Sequence, residues 1–86
     1  MNQFLHYNRI SDWDEDEVIL VDIRANGTAY VRTFLERHVR GPLPVPEAIS
    51  DAYRFKHNTP GITAIGVHLD EGAKWSASWG NLKRAI

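Results

Sequence analysis

Apolar and polar residues alternate over residues 18–24 and again over residues 28–35. An Asn26-Gly27 pair separates the two stretches, which is typical of a β-hairpin turn. A two-residue loop would leave both faces of this hairpin mixed. A three-residue loop that ends at Gly27 separates the faces better, and we therefore predict that register. The apolar face then carries Ile19, Val21, Ile23, Ala29, Val31 and Thr33.

A second interpretation competes over residues 29–40. The apolar residues there also recur at helical spacing, and Gly41 is a suitable helix stop. The Asn-Gly turn and the β-branched residues favour the strand. The helix is retained as the alternative.

Residues 62–69 and 73–79 alternate in the same way around the turn Asp70-Glu71-Gly72. We predict a second β-hairpin here, with Gly72 in the left-handed conformation. One face is then small or polar and includes His68 and Lys74. The apolar face carries Thr63, Ile65, Val67, Leu69, Ala73, Trp75, Ala77 and Trp79.

A helix over about residues 46–57 is predicted between the two hairpins. Pro46 suits a first turn, and the apolar residues that follow recur at helical spacing. Residues 41–46 contain three prolines and indicate a connector. The expected fold is α+β in ββαββ order, with a four-stranded antiparallel sheet covered on one face by the helix. Residues 1–10 fit a short strand or an irregular arm equally, and Ser11 is expected to cap one helical turn.

The length of 86 residues indicates one domain, residues 1–86. The chain has no cysteine, no apolar run long enough to cross a membrane and no recognisable signal sequence, so we expect a cytoplasmic protein. The net charge of −1 disfavours nucleic-acid binding without ruling it out. The two open edges of the expected sheet are compatible with a homodimer.

The sequence predicts no metal, no cofactor and no catalytic residue. Asp12, Asp14 and Asp16 have the spacing that opens a calcium loop, but Glu17 and Ile23 stand where that loop needs Gly and Glu. The four histidines show no ligand spacing, and no serine lies in a nucleophile motif. We therefore expect a protein that is not an enzyme.

Two short fragments resemble the rhodanese family. Residues 20–24 resemble the end of its second strand, and residues 36–42 resemble its Gly-His-Ile-Pro-Gly segment. The sulfur chemistry of that family needs a cysteine, which this chain lacks. No property of the family is carried over.

The expected function is a non-catalytic protein-interaction module, such as an inhibitor, an adaptor or an immunity-type protein. Its partner is expected to be a protein, with a basic one favoured by the acidic run, because complementary charge steers association. Trp13 either folds onto the edge of the sheet or serves as an aromatic anchor within the acidic run. The alternatives are single-stranded nucleic-acid binding through a basic-aromatic sheet face and a small-ligand pocket beside Trp75 and Trp79. The candidate partner-binding residues are Asp12, Trp13, Asp14, Glu15, Asp16, Glu17, Arg24, Tyr30, Arg32, Phe34, His68 and Lys74.

Overall fold

The computed structural model describes residues 3–33 and 38–85, which form a mixed six-stranded sheet with one α-helix. The fold is therefore α+β, as predicted, although the four-stranded antiparallel sheet in ββαββ order is wrong. The strand order across the sheet is β4-β3-β2-β5-β1-β6. The elements are β1 (Gln3–Tyr7), β2 (Val18–Ile23), β3 (Thr28–Thr33), β4 (His38–Pro44), α1 (Val45–Asn58), β5 (Ala64–Leu69) and β6 (Asn81–Arg84).

The first hairpin adopts the predicted register. Val21 lies opposite Val31, and the Arg24 amide donates to the Thr28 carbonyl at 2.8 Å. Gly27 closes the three-residue loop at φ 86°, a left-handed conformation that glycine adopts without strain. The alternative helix over residues 29–40 is wrong, because β3 continues the hairpin and β4 pairs with β3.

The prediction of a second hairpin is wrong except for its turn. The Ala73 amide does bond to the Asp70 carbonyl at 2.8 Å, and Gly72 has the expected positive φ. However, β5 lies between β2 and β1 and pairs parallel with both, so neither edge of β5 is left for a returning strand. Residues 73–79 instead lead through a 3-10 turn at Ala77–Trp79 to β6, which pairs parallel with β1.

The proline-rich stretch 41–46 is not a connector. Residues 41–44 belong to β4, which lies at the edge of the sheet. An edge strand tolerates proline because one side of its backbone has no pairing partner. The sheet ends in β4 on one side and in β6 on the other, and dimerisation through such an edge stays a prediction.

Of the two possibilities for residues 1–10, the strand is the one observed, since β1 pairs with both β5 and β6. The single turn expected after Ser11 is a 3-10 helix at Ile10–Asp12. It starts two residues earlier than predicted, so Ser11 lies inside the turn and does not cap it.

Helix α1 confirms the prediction to within one residue at each end. It buries Val45, Ala48, Ile49 and Ala52 against the face of the sheet that carries Ile19, Val21, Ile23, Ala29 and Val31. Edge-to-face aromatic contacts extend this core. The ring centroid of Phe4 lies 5.9 Å from that of Tyr53 and 5.6 Å from that of Trp75.

A smaller core lies on the opposite face of the sheet. Because β1 and β2 both run parallel to β5, residues 8–17 must return from one end of the sheet to the other. Trp13, within this return, packs against Tyr7, Val18 and Leu20. Gly66 makes room for the Tyr7 ring, since a Cβ there would lie 2.7 Å from Tyr7 Cε2. Within residues 3–33 and 38–85, no helix has the length and apolarity that a membrane span needs.

Candidate functional site

The first group of charged residues surrounds Asp22 at the end of β2, on the sheet face opposite α1. The Asp22 residue is 2% exposed. Its Oδ1 lies 3.1 Å from His68 Nδ1, and its Oδ2 lies 3.2 Å from Arg24 Nη2 and 3.5 Å from Arg32 Nη1. We call Asp22, Arg24, Arg32 and His68 the Asp22 cluster.

Strand register explains why these side chains meet. Asp22 lies beside His68 of β5 on one side and beside Tyr30 of β3 on the other. Arg32 lies two residues beyond Tyr30, so its side chain shares the same face. Both oxygens of the buried carboxylate are therefore occupied by cationic or hydrogen-bonding groups of the protein itself.

Arg24 links the Asp22 cluster to a second carboxylate and to an aromatic ring. Its Nη1 lies 3.5 Å from Asp70 Oδ2, and its guanidinium carbon lies 5.3 Å from the centroid of Tyr30. The Arg24 Nε is shielded from solvent and has no hydrogen-bond partner. The positive charge of Arg24 is thus shared between two acidic groups.

The second group is the acidic loop, residues Asp12–Glu17, between β1 and β2. All five of its carboxylate residues are exposed. None of them forms an ion pair with any residue that the structure describes. The backbone is nevertheless ordered as a turn, because the amides of Glu17 and Val18 donate to the Asp14 carbonyl at 3.3 and 3.0 Å.

Trp13 is the one residue of the acidic loop that folds onto the sheet. Its indole Nε1 donates to the Val18 carbonyl at 2.7 Å, and its ring packs on the smaller core. Of the two positions that the sequence left open, this is the first, except that Trp13 packs on the face of the sheet, over the interior strands β1 and β2, and not at the predicted edge. Trp13 therefore holds the acidic loop in place, while the carboxylates around it face solvent.

Two groups near the acidic loop and the sheet have shifted pKa values. Burial raises the pKa of the Tyr7 phenol; a backbone hydrogen bond at Asp14 opposes the shift, and the Asp14 charge adds to it. Burial also lowers the pKa of His6, with smaller contributions from the charges of His68 and Arg84. The neutral forms of both side chains are therefore favoured in the folded protein.

The predicted basic-aromatic face is assembled only in part. The structure brings Arg24, Tyr30, Arg32 and His68 together on the face opposite α1. Lys74 lies elsewhere, beside the tip of the first hairpin and Trp79. Phe34 falls outside the described residues.

Asp22, which organises this face, is not among the site residues predicted from the sequence. The sequence does mark Asp22 as unusual, because it is the one polar residue in the run Val18–Ile23 and the remaining five residues are all apolar. A carboxylate in the middle of such a strand is buried and needs partners. In the described part of the chain, no group of three or more acidic and histidine residues is arranged to hold a metal ion.

Comparison with known proteins gives no relative. No protein-family model matches the chain, and comparisons with curated proteins and with solved structures give no significant match.

Proposed function

We propose that the protein is a small non-catalytic interaction module, of the inhibitor, adaptor or immunity type, that binds a basic protein partner through the acidic loop. The proposal rests on the exposure of the carboxylates in the acidic loop and on their lack of ion-pair partners within the described residues. Asp12, Asp14, Glu15, Asp16 and Glu17 are exposed and have no ion-pair partner in the described structure.

Unpaired surface carboxylates on one short loop create a local negative potential. Such a potential speeds encounter with a positively charged surface and selects against acidic partners. With five acidic residues in six positions, the acidic loop holds nearly half of the 11 acidic residues of the chain. The net charge of only −1 shows that this potential is local to the loop.

The acidic loop is also held in a defined conformation before any partner arrives. Trp13 is bonded to Val18 at one point, and the Thr63 amide donates to the Glu17 carbonyl at 2.8 Å at another. A preorganised loop loses less conformational entropy on binding than a flexible one. This arrangement supports recognition of a folded basic surface.

The basic-aromatic face gives weaker support to nucleic-acid binding. Asp22 and Asp70 already pair with its two arginines. Arg24 also lies over the ring of Tyr30, where a base would have to stack. Phosphate binding depends on positive charge that is free to replace counterions, and little is free here.

The proposal is tested by affinity capture with matched charge reversals. The loop variant carries Asp14→Lys and Glu15→Lys. The control carries Glu47→Lys and Glu71→Lys, which change the net charge equally at two exposed acidic residues outside the loop. Circular dichroism first confirms that both variants are folded.

We expect the wild type and the control to capture the same basic protein from extract and the loop variant to lose it. The captured protein is then purified and titrated against each variant. The expected loss of affinity in the loop variant is at least about tenfold, and raising the salt concentration should weaken the wild-type complex. A partner that binds the loop variant and the wild type equally well would refute the proposal.

A further inference from the structure

A cavity of about 390 Å³ lies between the tip of the first hairpin and the segment that follows β5. Cavities of this size accommodate small organic molecules. Its apolar wall is formed by Ile23, Val45 and Trp79. The remaining lining residues are Arg24, Ala25, Gly27, Gly72 and Lys74.

The charged lining of this cavity is cationic. Arg24 and Lys74 contribute to it, and no acidic residue is among the lining residues. Arg24 is held by Asp22 and Asp70, so its charge is largely compensated. Lys74 is exposed and forms no ion pair within residues 3–33 and 38–85, which leaves its charge available to a ligand.

The surroundings of the cavity reinforce this polarity. Val45 is the first residue of α1, so the cavity lies near the positive end of the helix dipole. Trp79 provides an aromatic surface that is half buried, fixed by an edge-to-face contact with Trp75 at 5.2 Å. A positive group beside a fixed aromatic wall suits a ligand with an anionic end and a flat apolar body.

We propose that this cavity binds a small aromatic carboxylate, with Lys74 pairing with the carboxylate and the ring of the ligand packing against Trp79. This site is separate from the acidic loop and goes beyond the proposed function. Lys74 determines the preference for an anion, while Ile23, Val45 and Trp79 supply the apolar contact. The two contributions can therefore be removed one at a time.

The test uses 2-naphthoate as the probe and 2-naphthamide as its neutral analogue, with calorimetry and tryptophan fluorescence as readouts. Lys74→Met keeps the length of the side chain and removes its charge. Lys83→Met is the matched control, since Lys83 is an exposed residue of β6 that does not line the cavity. Both substitutions lie on the surface, so folding should be preserved.

We expect saturable binding of naphthoate to the wild type and to Lys83→Met, with affinity reduced about tenfold or more in Lys74→Met because a charge-assisted contact is lost. Naphthamide should bind all three proteins as weakly as naphthoate binds Lys74→Met. The proposal is overturned if naphthoate shows no saturable binding. It is also overturned if naphthoate and naphthamide bind the wild type equally, or if Lys74→Met and Lys83→Met behave alike.

Discussion

The acidic loop and the Asp22 cluster lie at opposite ends of β2 and use charge in opposite ways. In the Asp22 cluster a carboxylate that is 2% exposed contacts two guanidinium groups and an imidazole. In the acidic loop every carboxylate is exposed and has no ion pair with a described residue. Four residues of β2, Val18–Val21, lie between Asp22 and the last residue of the acidic loop, Glu17, so the two are about 17 Å apart along the strand.

This difference distinguishes the charges that stabilise the fold from those that remain free at the surface. A buried carboxylate is stable only when groups of the protein replace the water it has lost. The partners of Asp22 therefore serve the fold first, and their charge is little available to a ligand. An exposed carboxylate keeps its water and needs no partner, so the carboxylates of the acidic loop add little to stability and remain available for recognition.

The largest expected effect comes from removing the charge of Asp22. Asp22→Asn keeps the shape of the side chain but leaves Arg24 and Arg32 without their shared counterion. The free energy of unfolding should fall by about 2–3 kcal/mol, less than for a fully buried pair because both arginines are partly exposed. Urea unfolding followed by circular dichroism measures the change.

The matched variant in the acidic loop is Asp14→Asn. It makes the same chemical change at an exposed residue with no ion pair in the described structure, and we expect a change within about 0.5 kcal/mol. Equal effects in the two variants would contradict the comparison, because exposure and pairing would then not distinguish the two regions.

A smaller effect is expected at Trp13, where the acidic loop does contribute to the fold. Trp13→Phe keeps an aromatic ring and removes the N–H that donates to the Val18 carbonyl. The loss should cost about 1–2 kcal/mol. Hydrogen exchange at the Val18 amide, which is bonded to Asp14, should also become faster.

Trp75→Phe is the control for Trp13→Phe, since Trp75 Nε1 donates to the Gly80 carbonyl at 3.0 Å in a similar way. It should lower stability by a similar amount without changing exchange at Val18. If Val18 exchange is unchanged in Trp13→Phe, the indole does not hold the acidic loop in place.

The local elements of this fold were accessible from sequence, and the pairing of distant strands was not. The Asn26-Gly27 turn and its alternating flanks determine the first hairpin within 16 residues, and helix α1 follows from spacing and Pro46. In contrast, β5 is flanked by β2 and β1. The alternation of apolar and polar residues along β5 is the same whether its neighbouring strands are parallel or antiparallel. The pattern of residues 62–79 therefore predicted a hairpin, although both edges of β5 are already paired.

The candidate sites show the same division between features that follow from local sequence and features that depend on the pairing of distant strands. The exposure of the acidic loop follows directly from its run of carboxylates. The grouping of Arg24, Tyr30, Arg32 and His68 follows from the side-chain alternation within strands. The contact of Asp22 with His68 requires the parallel pairing of β2 with β5, and the placement of Lys74 requires the path of the chain after Gly72. Neither arrangement produces a periodic pattern in the amino-acid sequence.

The smallest expected effect is on the alkaline stability of the protein. Tyr7 and Tyr53 lie on opposite faces of the sheet, and burial raises the pKa of both phenols above the ordinary value of 10.0. Only Tyr7 also has the charge of Asp14 raising its pKa. Because the unfolded chain releases these protons first, stability is complete below pH 10 and is lost as the pH rises through the folded-state pKa values.

Urea unfolding between pH 8 and pH 11 tests this difference between the two faces. The decline in stability should be shallower in Tyr7→Phe and in Tyr53→Phe than in the wild type, because each variant removes one such phenol. Asp14→Asn should make the decline shallower in the wild-type background but not in the Tyr7→Phe background, since the negative charge of Asp14 disfavours the Tyr7 phenolate. If Asp14→Asn changes the decline in stability by the same amount in the Tyr7→Phe background, the charge of Asp14 does not act through Tyr7. The acidic loop then has no specific electrostatic effect on the core beneath it.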